Sequence, residues 1–182
     1  DGFLEDQKGQ TISFTLKTNS DNKMRVGMAN FVRDDLAKIG VKVTLAPVDF
    51  NTLITNIRDD KQYEALLLGL QSGVPPDPAM GQNVWRSSGR THYWNISQPS
   101  PQTPEETRID GLMDTIVASP DLAVRKQAWK QVQDTVNEQA WIIWLPTQNT
   151  KLPMSNRFGN ATPSAIPHRI LWNIEHVFLK RQ

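Results

Sequence analysis

Apolar and polar residues alternate in two short stretches near the N-terminus, and a helical pattern lies between them. Residues 12–18, ISFTLKT, and residues 41–48, VKVTLAPV, show the period of two that is typical of half-buried strands. Pro47 limits the second strand to a sheet edge or a strand end, because proline has no N–H to donate to a ladder. Between the strands, Gly40 ends a predicted amphipathic helix. The predicted buried face of that helix consists of Met24, Met28, Phe31, Val32, Leu36 and Ile39.

A second pass of helix and strand follows directly. The segment DFNTLITNIRDD predicts a short helix with Asp49 or Asn51 as its N-cap. Its apolar face is formed by Leu53, Ile54 and Ile57. Residues 63–70, YEALLLGL, form a continuous apolar run, which is typical of a strand covered on both faces. Two successive β-α-β passes predict an α/β layer in which helices pack on a sheet.

Two further helices are predicted, each introduced by a proline. Thr103 and Glu106 have the spacing of a capping box, and Pro104 takes the first helical position, where its missing N–H costs nothing. Ser119 before Pro120 repeats this arrangement, so the two helices should meet at a tight corner. The predicted buried stripes are Ile109, Leu112, Met113, Ile116 and Val117 in the first helix and Leu122, Trp129, Val132 and Val136 in the second.

The remaining sequence predicts a strand, a loop and a final extended segment. The strand is residues 141–148, WIIWLPTQ, and by its period of two it places Trp141 and Trp144 on opposite faces. At least one of these tryptophans should therefore border something other than the main core. We expect residues 1–148 to form one compact lobe.

Composition and charge exclude several classes of function. The 182 residues include 20 basic and 19 acidic side chains, and no block of like charge appears, so nucleic acid is not an expected partner. The absence of cysteine removes disulfides, thiol nucleophiles and thiolate metal sites. The longest apolar runs fall far short of the ~20 residues that a membrane span needs.

No catalytic or metal-binding motif is present. The three histidines are widely spaced and have no metal-ligand partner at a helical interval, so neither a metal nor another cofactor is expected. Ser87 or Ser88 with His92 and Asp77 could supply a nucleophile, a base and an orienting acid, but all lie in one loop. Catalytic triads are usually assembled from separated elements. A small α/β hydrolase is therefore the disfavoured alternative, and we expect no enzyme activity.

The loop that follows the apolar run carries a tryptophan among polar neighbours. Trp85 has large apolar area beside Asn, Arg and Ser side chains, which is a composition typical of a small-molecule or peptide contact surface. The alternative is that Trp85 fills the space between the loop and the sheet. The sequence leaves both interpretations open.

Taken in order, seven segments resemble the C-terminal half of the family 5 extracellular solute-binding proteins, which serve oligopeptide and dipeptide ABC importers. They are DGFLEDQKGQTISFTLKT, DDLAKIGVKVTLAPVDFNTL, YEALLLGL, the DP pair at 77–78, WRSSG, RKQAWKQVQDTVNEQA and WIIWLPTQ. The resemblance implies one lobe of a two-lobed periplasmic-binding-protein-like clamp, with a mixed sheet flanked by helices. It further implies that residues 149–182 return towards an N-terminal lobe.

The same resemblance implies the site, the partners and the location. The ligand-binding residues would be Phe50, Leu70, Gln71, Ser72, Gly73, Asp77 and Trp85. The partners would be a peptide or another small solute, the N-terminal lobe and an ABC permease in the membrane. The parent protein would be periplasmic or extracellular, either free or tethered to the membrane, and the abrupt start of this sequence suggests a piece of a longer precursor.

One departure from the family's pattern concerns the charged ends of a peptide. Residues 70–73 match a stretch that carries an aspartate for the ligand's ammonium group in typical peptide binders, and here no acid occurs in it. Leu67 stands near a position where some of them carry a basic residue for the carboxylate. Asp77 could replace the missing acid, or it could set a turn before Pro78. Peptide remains the expected ligand, and a neutral solute such as an oligosaccharide is the alternative.

Overall fold

A computed structural model describes residues 2–71, 73, 76–147, 149, 151–164 and 171–180. Its main sheet contains strands β1 (Ser13–Asn19), β2 (Lys42–Val48) and β3 (Ala65–Leu66) in the order β2-β1-β3, all parallel. Helix α1 (Lys23–Lys38) connects β1 to β2, and helix α2 (Phe50–Arg58) connects β2 to β3. The α/β class expected from the two β-α-β passes is confirmed.

Helices cover both faces of this sheet. On one face, Leu16 and Val43 pack with Ala29 of α1. On the other face, Leu53 and Ile57 of α2 form a core with Ile96. The continuous apolar run 65–68 divides between the two cores, with alternate residues on each side, as expected for a strand that is buried on both faces.

The second half of the chain is built on a helical hairpin. After a 3₁₀ turn (Pro78–Gly81) and the short helix α3 (Gln82–Trp85), helices α4 (Pro104–Ala118) and α5 (Leu122–Gln139) pack against each other. Their shared core consists of Ile109, Met113, Ile116, Ala128, Val132 and Val136. A separate antiparallel pair, β4 (Phe158–Gly159) and β5 (Phe178–Leu179), lies in the C-terminal segment, with a 3₁₀ turn (Ile174–His176) before β5. In the part of the chain that the structure describes, no helix is both long and apolar enough to cross a bilayer.

Several helix boundaries follow the predicted capping chemistry. Asp49, not Asn51, is the N-cap of α2, and its side chain accepts a hydrogen bond from the Thr52 N–H. The capping box of Thr103 and Glu106 is present in both directions. The capping residue of α5 was predicted wrongly: it is Asp121 rather than Ser119, because the Asp121 carboxylate accepts from the Ala123 N–H.

The predicted buried stripes were too wide. Phe31 is 73% exposed, and Met24 and Ile39 are also exposed, because α1 meets the sheet through Ala29 and its neighbours Val32 and Leu36. At about 100° per residue, Phe31 projects on the side of the helix opposite Ala29. In the helical hairpin, Val117 and Leu122, close to the ends of α4 and α5 that meet at the corner, are also exposed.

Two strand predictions also need correction. Strand β3 has two residues rather than eight, and beyond it the Thr18 hydroxyl donates to the Leu67 carbonyl at 2.8 Å. The described part of 141–148 is not a strand. Trp141 and Ile142 pack against the helical hairpin, whereas the Trp144 side chain is exposed. This difference agrees with the expectation that one of the two tryptophans lies outside the main core.

Candidate functional site

The carboxyl ends of the parallel strands define one edge of the sheet. Strand β1 ends at Asn19, which is in register with Val48 at the end of β2, and Lys17 is in register with Leu66 of β3. The chain therefore leaves all three strands at the same edge. We call the residues that lie there, Arg25, Phe50 and 69–71, the sheet edge.

The strand order places a topological switch point at this edge. From the central strand β1, the chain crosses to β2 on one side, and from β2 it crosses back over β1 to β3 on the other side. In open α/β sheets, ligands bind outside the carboxyl ends of the strands where the connections diverge in this way. The crevice between the ends of β1 and β3 is therefore the candidate binding site.

Three of the sequence-predicted site residues lie at the sheet edge. Phe50 is the first residue of α2, directly after its cap, and is 46% exposed. Leu70 is 51% exposed, and Gln71 is also exposed. Ser72 lies outside the described residues. Gly73 lies against Met80, because a Cβ built on Gly73 would be only 2.5 Å from the Met80 methyl carbon.

The other two predicted site residues belong to a segment that packs on the helical hairpin. We call this segment, residues 77–92, the docked loop. Asp77 caps the 3₁₀ turn by accepting from the Ala79 N–H at 2.9 Å, and it also forms an ion pair with Arg125 of α5. The Ala79 hydrogen bond, assisted by Arg125, holds the pKa of Asp77 below its usual value. This carboxylate has the turn-setting role, the second of the two alternatives given by the sequence.

Three acidic residues of α4 anchor the docked loop at successive helical turns. Glu106, Asp110 and Asp114 are spaced four residues apart, so they share one face of the helix. Asp110 accepts from both the Ser87 N–H, at 2.8 Å, and the Ser87 hydroxyl, at 2.5 Å. Asp114 pairs with Arg86 at 2.7 Å. Sequence reasoning missed this stripe, although its spacing E-x-x-x-D-x-x-x-D could have indicated a polar contact face.

Glu106 is the most heavily bonded member of the stripe. One carboxylate oxygen contacts His92 Nε2 at 3.2 Å and accepts from Gln98 at 2.8 Å, and the other accepts the Gln102 N–H at 2.9 Å. Burial favours a raised pKa for Glu106, but the hydrogen bonds from Gln98, Gln102, His92 and Asn95 outweigh it and lower the pKa. Glu106 is therefore held as a carboxylate that joins the loop to the start of α4.

Trp85 lies in a cluster of tryptophans. Its ring contacts Trp129 of α5 edge-on at 5.2 Å between centroids, and it also meets Trp94 at 6.3 Å and Trp144 at 6.4 Å. Trp94 in turn stacks on Trp141 at 5.6 Å. Trp85 therefore attaches the docked loop to the helical hairpin. One of the two interpretations from the sequence had placed this ring against the sheet instead. The exposed member of this cluster is Trp144.

The residues of the disfavoured hydrolase do not assemble into a triad. The Ser87 hydroxyl donates to Asp110, and the two ring nitrogens of His92 contact the Val84 carbonyl and Glu106. Asp77 is bound to Arg125. Ser88 is exposed on the loop surface. Among the described residues, no group of three metal-ligating side chains could hold a metal ion.

The sequence matches one protein family over half of its length. The matching family model is described as "Bacterial extracellular solute-binding proteins, family 5 Middle", and it covers residues 2–92. This range contains the whole main sheet, the sheet edge and the docked loop.

Two curated relatives are similar over most of the chain. A Deinococcus radiodurans protein named "Probable ABC transporter-binding protein" is 30% identical over 167 residues, which is 86% of this chain and 28% of the relative. The oligopeptide-binding protein AppA of Bacillus subtilis is 26% identical over 186 residues, which is all of this chain and 32% of AppA. The chain thus spans about a third or less of the length of the relatives that it matches.

Solved structures agree with these matches. The crystal structure of AppA in complex with a nonapeptide aligns with a TM-score of 0.66 at 25% identity, covering 100% of this chain and 34% of AppA. The periplasmic binding protein MelB from Agrobacterium fabrum, in complex with stachyose, aligns with the same TM-score of 0.66 at 20% identity and shares the fold over 78% of this chain and 22% of MelB. On the family match, this chain belongs to the bacterial extracellular solute-binding proteins of family 5.

Proposed function

We propose that this chain supplies one side of the solute cleft in the binding component of an ABC importer. The observation that carries the proposal is the exposure of Phe50, Leu70 and Gln71 at the carboxyl edge of a parallel sheet with a switch point. Such a component works by binding without bond chemistry: a ligand bridges two lobes and favours the closed state. The second side of the cleft would come from an N-terminal lobe, and residues 149–182 would lead back towards it.

Peptide is the ligand class that we propose. The relative AppA is an oligopeptide-binding protein whose crystal structure contains a nonapeptide. Main-chain groups and the Phe50 ring would supply most of the affinity, with waters filling spaces around variable side chains. A peptide's ammonium group, however, would find no free acid here, because residues 70–73 contain none and Asp77 is paired with Arg125. The protein should therefore accept peptides whose amino end is blocked.

An oligosaccharide is the second candidate ligand. Trp144 is 61% exposed and lies beside Trp85, so the two rings offer an apolar surface of the kind on which sugar rings pack. The structural neighbour MelB is in complex with stachyose, a neutral oligosaccharide. A neutral ligand would also not require the missing acid.

The family's setting gives the proposed partners and location. We propose that the protein acts in the periplasm or outside the cell, free or tethered to the membrane, and delivers its solute to a membrane permease. Residues 1–148 would be the ligand-binding lobe.

Calorimetric titration of the natural full-length protein that contains this sequence tests the ligand class. Nonapeptides with a free or acetylated amino end should bind with affinities within about threefold of each other, because no carboxylate is available to pair with the free ammonium group. Mass spectrometry should recover the bound peptide intact. Preference for stachyose would favour the second candidate, and absence of saturable binding of either ligand would contradict the proposed function.

The 182-residue chain should bind the same peptide at least about a hundredfold more weakly, because half of the contacts would be missing. Equal affinity would show that this chain contains the whole site.

A further inference from the structure

Met80, in the docked loop, is the most exposed of the five methionines in this chain. Its side chain is 58% exposed and that of Met24 46%, whereas Met113 is fully buried and the other two are partly buried. The sequence contains no cysteine. Where no thiol is present, thioether sulfurs are the side-chain atoms that peroxides oxidise most readily, and exposed ones react first. Met80 is therefore the first candidate for oxidation in this sequence.

The Met80 thioether packs against the chain that continues from the sheet edge. A Cβ built on Gly73 would lie 2.5 Å from the Met80 methyl carbon and 3.0 Å from Sδ. So close a contact is possible because residue 73 is a glycine. Gly73 comes two residues after Gln71, which was predicted to contact the ligand. Met80 thus joins the docked loop to the segment that carries predicted ligand contacts.

Met80 also lines a polar cavity within the docked loop. The cavity has a volume of about 480 Å³, and its lining includes Gln82, Asn83 and Ser88, whose side chains carry N–H or O–H donors. A thioether sulfur is only a weak acceptor, so the Met80 side chain gains little from these donors. A sulfoxide oxygen in the same place would accept hydrogen bonds from them.

Oxidation therefore changes which surface the Met80 side chain prefers. The Sδ lone pair attacks one oxygen of hydrogen peroxide, and the O–O bond breaks as the S–O bond forms. The proton on the transferred oxygen passes to the departing hydroxide, which leaves as water. Sulfur loses two electrons and the peroxide gains them. The product is polar where the thioether was apolar, and its rotatable bonds allow it to turn towards the cavity.

We propose that Met80 is an oxidation site whose sulfoxide turns away from Gly73 into the polar cavity and releases the segment that carries Leu70 and Gln71. The consequence for ligand binding rests on the proposed function. A ligand would have to order the released segment again, so its affinity falls. Because sulfoxide reductases restore the thioether, this loss of affinity is reversible.

Peroxide treatment of the natural full-length protein tests the proposal. Proteolysis and mass spectrometry should show Met80 oxidised at least about fivefold faster than the buried Met113. NMR with ¹³C-methyl-labelled methionine should show the Met80 methyl group close to the Gly73 hydrogens before treatment, and this contact should be lost in the sulfoxide. The affinity for the nonapeptide should fall about fivefold or more, and methionine sulfoxide reductase should restore it.

Two leucine variants isolate the contribution of Met80. Met80→Leu has a similar volume and no sulfur, so it should bind the nonapeptide within about threefold of the wild type, and peroxide should leave that affinity unchanged. Met24→Leu removes the next most exposed sulfur, which lies on α1, and should lose affinity on treatment as the wild type does. Circular dichroism would establish that each variant is folded.

Failure of this inference can be separated from failure of the proposed function. Oxidation of Met80 no faster than that of Met113, or a methyl contact with Gly73 that survives oxidation, overturns the inference while peptide binding stands. Equal loss of affinity in treated wild type and treated Met80→Leu also overturns it. Loss of the contact on oxidation, without saturable binding of peptide or stachyose, supports the oxidation site and overturns the proposed function.

Discussion

The sheet edge and the docked loop both contain residues that the sequence predicts to bind ligand, but they are held in different ways. Phe50, Leu70 and Gln71 at the sheet edge are exposed. The docked loop is fixed on α4 and α5 by an acidic stripe, the Arg125 ion pair and the Trp85 ring contacts.

This difference assigns separate tasks to the two regions. Interactions already made within the protein restrict the docked loop, so ligand-dependent adjustment should be concentrated at the sheet edge. Substitutions in the docked loop should therefore reduce stability, whereas substitutions at the sheet edge should reduce ligand binding. The following predictions test this division.

The largest expected effect is the loss of stability when Glu106 is removed. Glu106→Ala should lower the free energy of unfolding by about 3 kcal/mol, because the buried side chains of His92 and Gln98 and the Gln102 N–H lose their partner. Urea unfolding followed by circular dichroism measures it. Glu105→Ala, one residue earlier in the same first turn, is the control and should cost no more than about 0.5 kcal/mol. Similar losses in the two variants would show that the stripe does not anchor the loop.

A pair of aromatic truncations should separate the two regions directly. Trp85→Ala should lower the free energy of unfolding by about 2 kcal/mol, since a half-buried indole loses its contacts with Trp129 and Trp94. Phe50→Ala should change it by less than about 0.5 kcal/mol, because much of this ring is in solvent. Titration with the nonapeptide should show the reverse order, with Phe50→Ala weakening binding. A stability loss in Phe50→Ala as large as that in Trp85→Ala would contradict the division.

The smallest effect concerns the titration of Asp77. Its pKa is lowered by the Ala79 hydrogen bond and then by Arg125, so the carboxylate stabilises the folded state above the ordinary aspartate pKa of about 3.9. This stabilisation is complete at neutral pH and is lost as the pH falls through the lower folded-state pKa. Carbon-detected NMR of the Asp77 carboxyl should give a midpoint below that of a free aspartate.

Removing one interaction at a time identifies the contribution of the ion pair to that midpoint. Arg125→Gln should raise the Asp77 midpoint, while Lys130→Gln, which breaks the exposed pair of Lys130 and Asp134, should leave it unchanged. An unchanged midpoint in Arg125→Gln would show that the Ala79 hydrogen bond alone sets the pKa.

Local chemistry allowed the sequence to predict much of the fold. The strands before and after α1 follow from their period of two, and the capping box of Thr103 and Glu106 follows from residue spacing. Such features depend on neighbours within a few residues. The exposure of Phe31 could not be predicted in this way, because it depends on which side of α1 meets the sheet.

The site was less accessible to prediction than the fold. The exposed positions of Phe50 and Leu70 agree with the sequence expectation, but their contact with ligand stays a prediction. Asp77 and Trp85 each have one partner in α5, more than forty residues away, and these two contacts depend on how the helical hairpin packs.

The tryptophan cluster makes the protein its own optical reporter. Excitation energy passes readily between indoles whose centroids are 5.2 to 6.4 Å apart, and it collects on the ring with the lowest excited state. Contact with water lowers that state, which makes Trp144 the terminal emitter of the group. A solute that covers Trp144 would shift the emission to shorter wavelength and reduce quenching by added iodide, without any attached dye.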